Sequence, residues 1–276
     1  MTTGPEVSAL HVYPVKSLRG TGTPSAVVEP WGLAGDRRWM LVDALTLVAV
    51  TQREEPGLAR VDVRLVPGGG VRLEVPGHAP VDVAVPPPGP LETARLFGKK
   101  VELLPAEAAA ARGLSDFLGR EVRLMHLDEP ALRRPIEPDY ARPGETVSLA
   151  DGYPLLAATT ASLAALNELI AEGDRAHEGP LPMGRFRPNV VIDGTVAWAE
   201  DGWRRIRIGE VVLRAPKPCA RCVITTTDQI TGARRHEPLR TLGRHRNVGG
   251  GLLFGQNLIP EGPGTLRVGD TLTVLE

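Results

Sequence analysis

The chain has 276 residues, 42% of them hydrophobic and 24% charged, which accommodates one large or two ordinary domains with their own apolar cores and excludes a disordered or fibrous protein. A formal net charge of −1 excludes a strongly basic nucleic-acid binder, and with aromatics at 4% an RNA-binding barrel would have few stacking platforms, so no nucleic-acid partner is expected. No run approaches the ~20 apolar residues of a membrane span, and the opening "MTTGPEVSALHVYPVKSL" lacks the charged-then-apolar order of a secretion signal; no membrane association and a cytoplasmic location are expected.

The first hundred residues alternate with period two. "VSALHVYPV" and "RRWMLVD" read as strands, and "RVDVRLV" (60–66), "VRLEV" (71–75) and "VDVAV" (81–85) read as an antiparallel meander separated by the turn signals "PGGG" and "PGHAP". Residues from about 5 to 104 are thus predicted to form a small, mainly β unit, followed by helical pattern over 106–119 and a proline-rich connection over 128–145. The strongest helical signal is "TTASLAALNELIAEG" (159–173), with a Thr/Ser-rich start and Gly173 as a stop. "PNVVID", "RRIRIGEVVLRA", "ARCVITTTD" and "TLRVGDTLTVL" read as strands, with Gly209-Glu210 and Gly269-Asp270 as tight hairpin turns. The fold class expected is mainly β (α+β) in two units, with the boundary near 120–146.

Charge is uneven along this chain: Trp203 to Arg246 carries 11 Lys/Arg against 3 Asp/Glu, and this stretch contains the only two cysteines, Cys219 and Cys222. A basic stretch of this kind is either a solvated face or the lining of a pocket for an anion. The Cys-x-x-Cys spacing leaves several readings open. A redox dithiol usually sits at a helix N-terminus, whereas "VITTT" after Cys222 favours a strand. Zinc needs further ligands, and His236 and His245, the candidates, lie in an arginine-rich segment whose charge opposes a cation. Two incidental thiols, or a single thiolate serving a metal brought in by an anionic cofactor, also fit. Spacing does not choose among them.

Five stretches occur together: "YPVKSLRG" (13–20), "GDRRWMLVD" (35–43) with "TQREEP" (51–56), "GRFRPNVVID" (184–193), "CARCVITTTDQITG" (219–232) and "LFGQNL…GTLRVGD" (253–270). In order and approximate spacing they resemble the MOSC family, in the branch with an N-terminal β-barrel domain that includes the mitochondrial amidoxime-reducing component and its bacterial relatives. The resemblance spans nearly the whole chain and implies an N-terminal β-barrel domain over 1–120 and a MOSC β-barrel domain with a few helices over 121–276. It implies a molybdenum–molybdopterin cofactor, with Cys222 as the metal ligand and catalytic position and Cys219 outside the ligand set. Arg187, Asn189 and Arg221, with Lys16, Ser17 and Arg37, match positions that contact the pterin and its phosphate. Gly152 and Tyr153 of "DGYP" align with a further contact region but depart from it in residue type, which points to contact through backbone.

The activity implied is reduction of small N-hydroxylated or other N–O compounds by oxygen-atom abstraction at molybdenum. The sequence contains neither an anchor before the first barrel nor a ferredoxin-like segment with four more cysteines, so a separate ferredoxin- or flavoprotein-like electron donor is expected. MOSC domains also occur in sulfurases, and a non-catalytic cofactor carrier or sulfur-handling protein is the alternative.

Overall fold

The period-two stretches of the first hundred residues fold as their alternation predicts. In a computed structural model that describes residues 4–276, so that residues 1–3 of the first expected domain lie outside it, Asp62–Leu65, Val71–Glu74 and Val81–Val83 form the antiparallel meander. Val63, Val71, Leu73 and Val83 turn inward onto Leu58, Leu114 and Leu124. A second small sheet runs Trp39–Asp43, Val122–His126, Lys99–Pro105, Glu92–Leu96. Every residue from Trp39 to Val42 is buried, the continuous apolar run of a strand covered on both faces. Strands make up 36% and helix 21% of the chain, the mainly β class expected.

The remaining sheet is assembled from distant parts of the sequence. Its order is Thr21–Thr23, Glu6–Val12, Val190–Asp193, Leu155–Thr159, Gly251–Pro260, Val211–Arg214, Arg205–Ile208, Leu272–Val274, with two short strands attached to Gly251–Pro260. A lone bridge between Glu6 and Thr271 brings the two ends of this order together without closing the ladder. The strand Ser25–Glu29 pairs with Gly264–Arg267. Strands from the first thirty residues therefore join strands from the last hundred, although local periodicity groups them with the meander. Pairing over such separations leaves no mark on local alternation, because either face pattern suits any partner.

Two expectations about local structure fail. "ARCVITTTD" is not one strand: Pro218–Ala220 pairs with Gly251–Pro260, and Val223–Thr226 is a turn of 3₁₀ helix. The Thr225 and Thr226 hydroxyls donate to the carbonyls of Cys222 and Val223 at 2.9 and 2.7 Å. These local bonds offset the β propensity of a Thr run. Gly269-Asp270 is likewise no hairpin turn, since Gly264–Arg267 and Leu272–Val274 pair with different sheets. Val7 takes both backbone bonds at the turn, donating to Asp270 O and accepting from Gly269 N. Gly209-Glu210 does connect a two-strand hairpin.

Helix Thr160–Ala171 forms where its pattern predicts, the N-cap Thr159 hydroxyl accepting from Ser162 N at 3.1 Å. It crosses between the parallel strands Leu155–Thr159 and Val190–Asp193 and buries Leu166 and Ile170 against Phe186 and Phe254. Each such side chain contributes roughly 1.5–3 kcal/mol. The helical pattern of 106–119 resolves into a 3₁₀ turn, Ala108–Ala111, and helix Arg112–Leu118; the connection over 128–145 holds one short helix, Pro130–Arg133. Among the described residues no helix is long and apolar enough to cross a membrane.

One end of the large sheet collects what matters for function. Tyr13 follows strand Glu6–Val12, Asn189 precedes Val190–Asp193, and Tyr153 and Pro154 precede Leu155–Thr159. Asn189 N donates to Leu156 O at 2.8 Å, locking two of these ends together. Gly255, at φ +79° in the middle of the longest strand, lies so close to its neighbour that a Cβ would stand 2.6 Å from Ala157 O. Gly255→Ala should therefore cost more than ~2 kcal/mol in urea unfolding, combining left-handed strain with a backbone clash. Gly152→Ala, whose Cβ would meet nothing within 4 Å, should stay within ~1 kcal/mol of the parent.

Candidate functional site

A cleft at that end of the sheet is lined by Lys16, Ser17, Arg37, Gly152, Tyr153, Arg187, Asn189, Arg221 and Cys222, together with Asp151, Phe186, Cys219 and Asn257. All nine positions singled out from the sequence converge here, from five separate segments of the chain. The open space amounts to about 680 Å³ including the part continuous with solvent. Four cationic side chains, Lys16, Arg37, Arg187 and Arg221, face one carboxylate, Asp151, in the lining.

Three of these residues hold their backbones in the left-handed region: Ser17 at φ 67°, Arg37 at 46° and Arg187 at 54°. Non-glycine residues rarely adopt this conformation, and it costs on the order of 1–3 kcal/mol each. Surrounding bonds enforce it. Arg37 N donates to Tyr13 O at 2.7 Å, and Arg187 ends the 3₁₀ turn Met183–Phe186 with its N–H on Gly184 O. Ser17 O accepts from the buried Gln52 amide at 2.6 Å.

The electrostatics follow from burial. Lys16, 4% exposed, donates to Leu149 O at 2.9 Å and Asp151 Oδ1 at 2.6 Å. Burial pushes its ammonium down to about 8, only partly offset by Asp151. Arg187 is pushed down to about 10 by burial, which the phenol group of Tyr13 and the carboxylate of Asp36 oppose, and its Nη1 is buried without a hydrogen-bond partner among the described residues. Arg37 Nη1 donates to Asp36 Oδ2 at 2.5 Å and to Asn189 Oδ1 at 3.0 Å. Burial raises the Asp36 carboxyl against the pull of Arg37. Packing would raise Asp151 as well, but Lys16 and Arg53 overcome it and hold the carboxyl far below the usual range.

Three of the four hydrogen-bonding sites of the Asn189 amide are taken by the protein: Oδ1 accepts from Arg37 and Leu156 N, and Nδ2 donates to His11 O. It acts as a tie between strands and arginine. Arg221 donates to Phe186 O at 2.7 Å and to Cys219 Sγ at 2.9 Å, and its Nε is buried without a partner among the described residues. The two thiols are free and differently placed. Cys219 sits in the strand beside Arg221, whereas Cys222 precedes the 3₁₀ turn and its Sγ accepts from Arg53 Nη2 at 3.5 Å. Among the described residues no three His, Cys, Asp or Glu side chains converge on one point, and His236 is engaged with Glu178 at 3.1 Å. A protein-only zinc set around these cysteines is therefore not assembled.

Sequence reasoning passed over four residues of this site. Arg53 bridges Cys222 and Asp151, the latter at 2.8 Å. Asp151 joins Arg53 to Lys16, Arg134 donates to Ala150 O at 2.7 Å beneath it, and Tyr13 lies behind Arg37 and Arg187. Three of them lie inside stretches that carried the resemblance or its alignment: Arg53 in "TQREEP", Asp151 at the head of "DGYP" and Tyr13 in "YPVKS". The signal was present there, but charge and ring type do not reveal which partner a side chain meets. Arg134 had no signal beyond a basic residue in a proline-rich stretch.

Comparison with known proteins matches two family descriptions to the chain. The family described as MOSC N-terminal beta barrel domain matches residues 4–121, and the MOSC domain matches residues 144–273. The mitochondrial amidoxime-reducing component 1 of Homo sapiens is 33% identical over 290 residues, covering 98% of this chain and 82% of that protein. The mitochondrial amidoxime reducing component 2 of Rattus norvegicus is 31% identical over 286 residues, covering 96% and 81%. Among solved structures, the YuaD protein of Bacillus subtilis overlays with a TM-score of 0.44 at 12% identity, over 97% of this chain and 93% of that one. With both domain matches in order and relatives of this identity over nearly its full length, the chain belongs to the MOSC family, in the group that carries the MOSC N-terminal β-barrel domain and includes the amidoxime-reducing components.

Proposed function

We propose that this protein is a molybdenum-cofactor-dependent oxidoreductase that reduces small N-hydroxylated and related N–O compounds, drawing electrons from a separate iron–sulfur or flavin carrier. The observation that carries the reading is the thiol of Cys222 lining one cleft with four cationic side chains and a single carboxylate. Molybdopterin carries a phosphate and a metal-binding dithiolene, so it needs cations for the first and a soft thiolate for the metal. The donors present fit both needs: Arg187 Nη1 and Arg221 Nε are buried without partners among the described residues, and Cys222 lines the same cleft. The names of the relatives support the reductase assignment. Two free thiols suit a reducing compartment, and a cytoplasmic setting belongs to the proposal.

In this reading Cys222 ligates molybdenum, and the cofactor when bound supplies the two-electron chemistry that removes oxygen from the N–O bond. Arg187, Arg37, Lys16 and Arg221 hold the phosphate and pterin, Ser17, Gly152 and Tyr153 border them, and Asn189 keeps Arg37 in place. Arg53 orients the thiol, its guanidinium fixed by Asp151. Charge-assisted hydrogen bonds contribute roughly 1.5–3 kcal/mol each, so a few of them add to the hold of the Cys222 thiolate on the metal.

Purified from a host that makes molybdopterin, the protein should contain close to stoichiometric molybdenum and oxidisable pterin. Cys222→Ala should lower molybdenum at least about tenfold and abolish amidoxime reduction, while Cys219→Ala retains the metal within about twofold. Full metal and activity in Cys222→Ala, or no molybdenum in the parent, would sink the proposal. Bound cofactor without turnover under a chemical reductant, combined with transfer to an apo-enzyme, would assign the protein instead as a carrier.

Lys16 gives the site a pH dependence. Its ammonium is charged below about 8, and an anion binds only that form tightly. Affinity for sulfate, which keeps its charge across this range, measured by calorimetry on protein made without cofactor, should be flat below that pH and weaken above it as Lys16 loses its charge. Lys16→Met should bind more weakly at neutral pH and remove that limb of the profile.

A further inference from the structure

Arg37 and Arg187 carry like charges, both are withdrawn from bulk water, and both line the cleft. Left alone, two such guanidiniums would repel each other and swing apart. Each has its central carbon 4.3 Å from the centre of the Tyr13 ring. The negative face of an aromatic ring attracts a guanidinium at this range, most strongly where water is excluded. Tyr13 is 4% exposed and is not itself part of the cleft lining.

The polar atoms of Tyr13 are tied to the two segments that carry these arginines. Its backbone N–H donates to Asp36 Oδ1 at 2.8 Å, its carbonyl accepts from Arg37 N at 2.7 Å, and its hydroxyl donates to Pro188 O, next to Arg187, at 3.0 Å. The ring cannot shift toward Gly20, where even a Cβ would stand 2.3 Å from Tyr13 Cε1. Asp36 takes up Arg37 through its other oxygen. Arg187, by contrast, leans on the ring and leaves Nη1 without a partner among the described residues.

We propose that Tyr13 is a positioning residue: its ring holds the Arg37 and Arg187 guanidiniums in a fixed relation, so that both act on one anion, the phosphate of the bound cofactor, which Tyr13 does not touch. The inference rests on the reading of these two arginines as phosphate ligands, and its test is arranged so that the two ideas fail separately.

Tyr13→Phe keeps the ring and loses the hydroxyl; Tyr13→Leu and Tyr13→Met lose the ring. Each is made in a host with the cofactor pathway, where molybdenum and pterin are followed after dilution. Each is also made without the pathway, where inorganic phosphate binding is measured by calorimetry, alone and combined with Arg187→Gln. The Phe variant should match the parent within about twofold in both assays, whereas the Leu and Met variants should release cofactor about tenfold faster and bind phosphate about tenfold more weakly. In the Arg187→Gln background the loss of the ring should have much less effect, a coupling that an independent packing defect would not produce.

The proposal is overturned if folded Leu or Met variants, checked by their unfolding midpoints, bind phosphate like the parent. It is equally overturned if the Phe variant is as defective as Leu, or if the losses simply add to that of Arg187→Gln. Should Tyr13→Leu not fold, Tyr13→Met decides. A parent protein that holds no molybdenum would end the cofactor reading, while the phosphate measurements would still decide the role of Tyr13.

Discussion

The cost of withdrawing several cations from water shapes this protein more than any other interaction. Lys16, Arg37 and Arg187 are each nearly or largely buried, and only two carboxylates, Asp36 and Asp151, stand directly against them. Such an arrangement persists when polar contacts and packing hold the charges in place, and it leaves a region of positive potential where an anion is strongly favoured. The lowered ammonium of Lys16 and guanidinium of Arg187 are the mark of this stored cost. A bound anion would relieve it and so add to stability.

The large sheet exists, in effect, to place those charges. Strands from the start, middle and end of the chain meet so that their terminal residues surround one cleft. Parallel pairing of Leu155–Thr159 with Val190–Asp193 requires the crossover helix Thr160–Ala171, whose apolar face fills the space behind Phe186. Asn189 then ties strand to strand and strand to Arg37. The left-handed conformations of Ser17, Arg37 and Arg187 are held by this framework, so the strain sits where their side chains are aimed into the cleft.

Roles within the site divide by what each side chain has left to offer. Asn189 and Asp36 are bonded within the protein and serve as supports. Arg187 and Arg221 retain buried donors without partners among the described residues, and the thiol of Cys222 has one contact, with Arg53. The two cysteines of the Cys-x-x-Cys pair are thereby separated in placement, one beside Arg221 in a strand and one at the entrance to a 3₁₀ turn. That turn depends on the Thr hydroxyls, which divert the segment after Cys222 from the strand its composition suggests.

Much of this was legible in the residues alone. Alternation marked the meander, capping marked the central helix, and the spaced motifs together with "DGYP" named nine positions that line the cleft. These features are local or depend on order along the chain, and a sequence records both. Only the tertiary structure decided that Glu6–Val12 pairs with Val190–Asp193, that Gly269-Asp270 joins two sheets instead of closing a hairpin, and that Arg53, Asp151 and Tyr13 stand behind the expected ligands. The reason is physical: strand partners and salt-bridge partners are chosen by proximity after folding, over separations of a hundred residues or more, and neither β propensity nor charge carries the address of its partner.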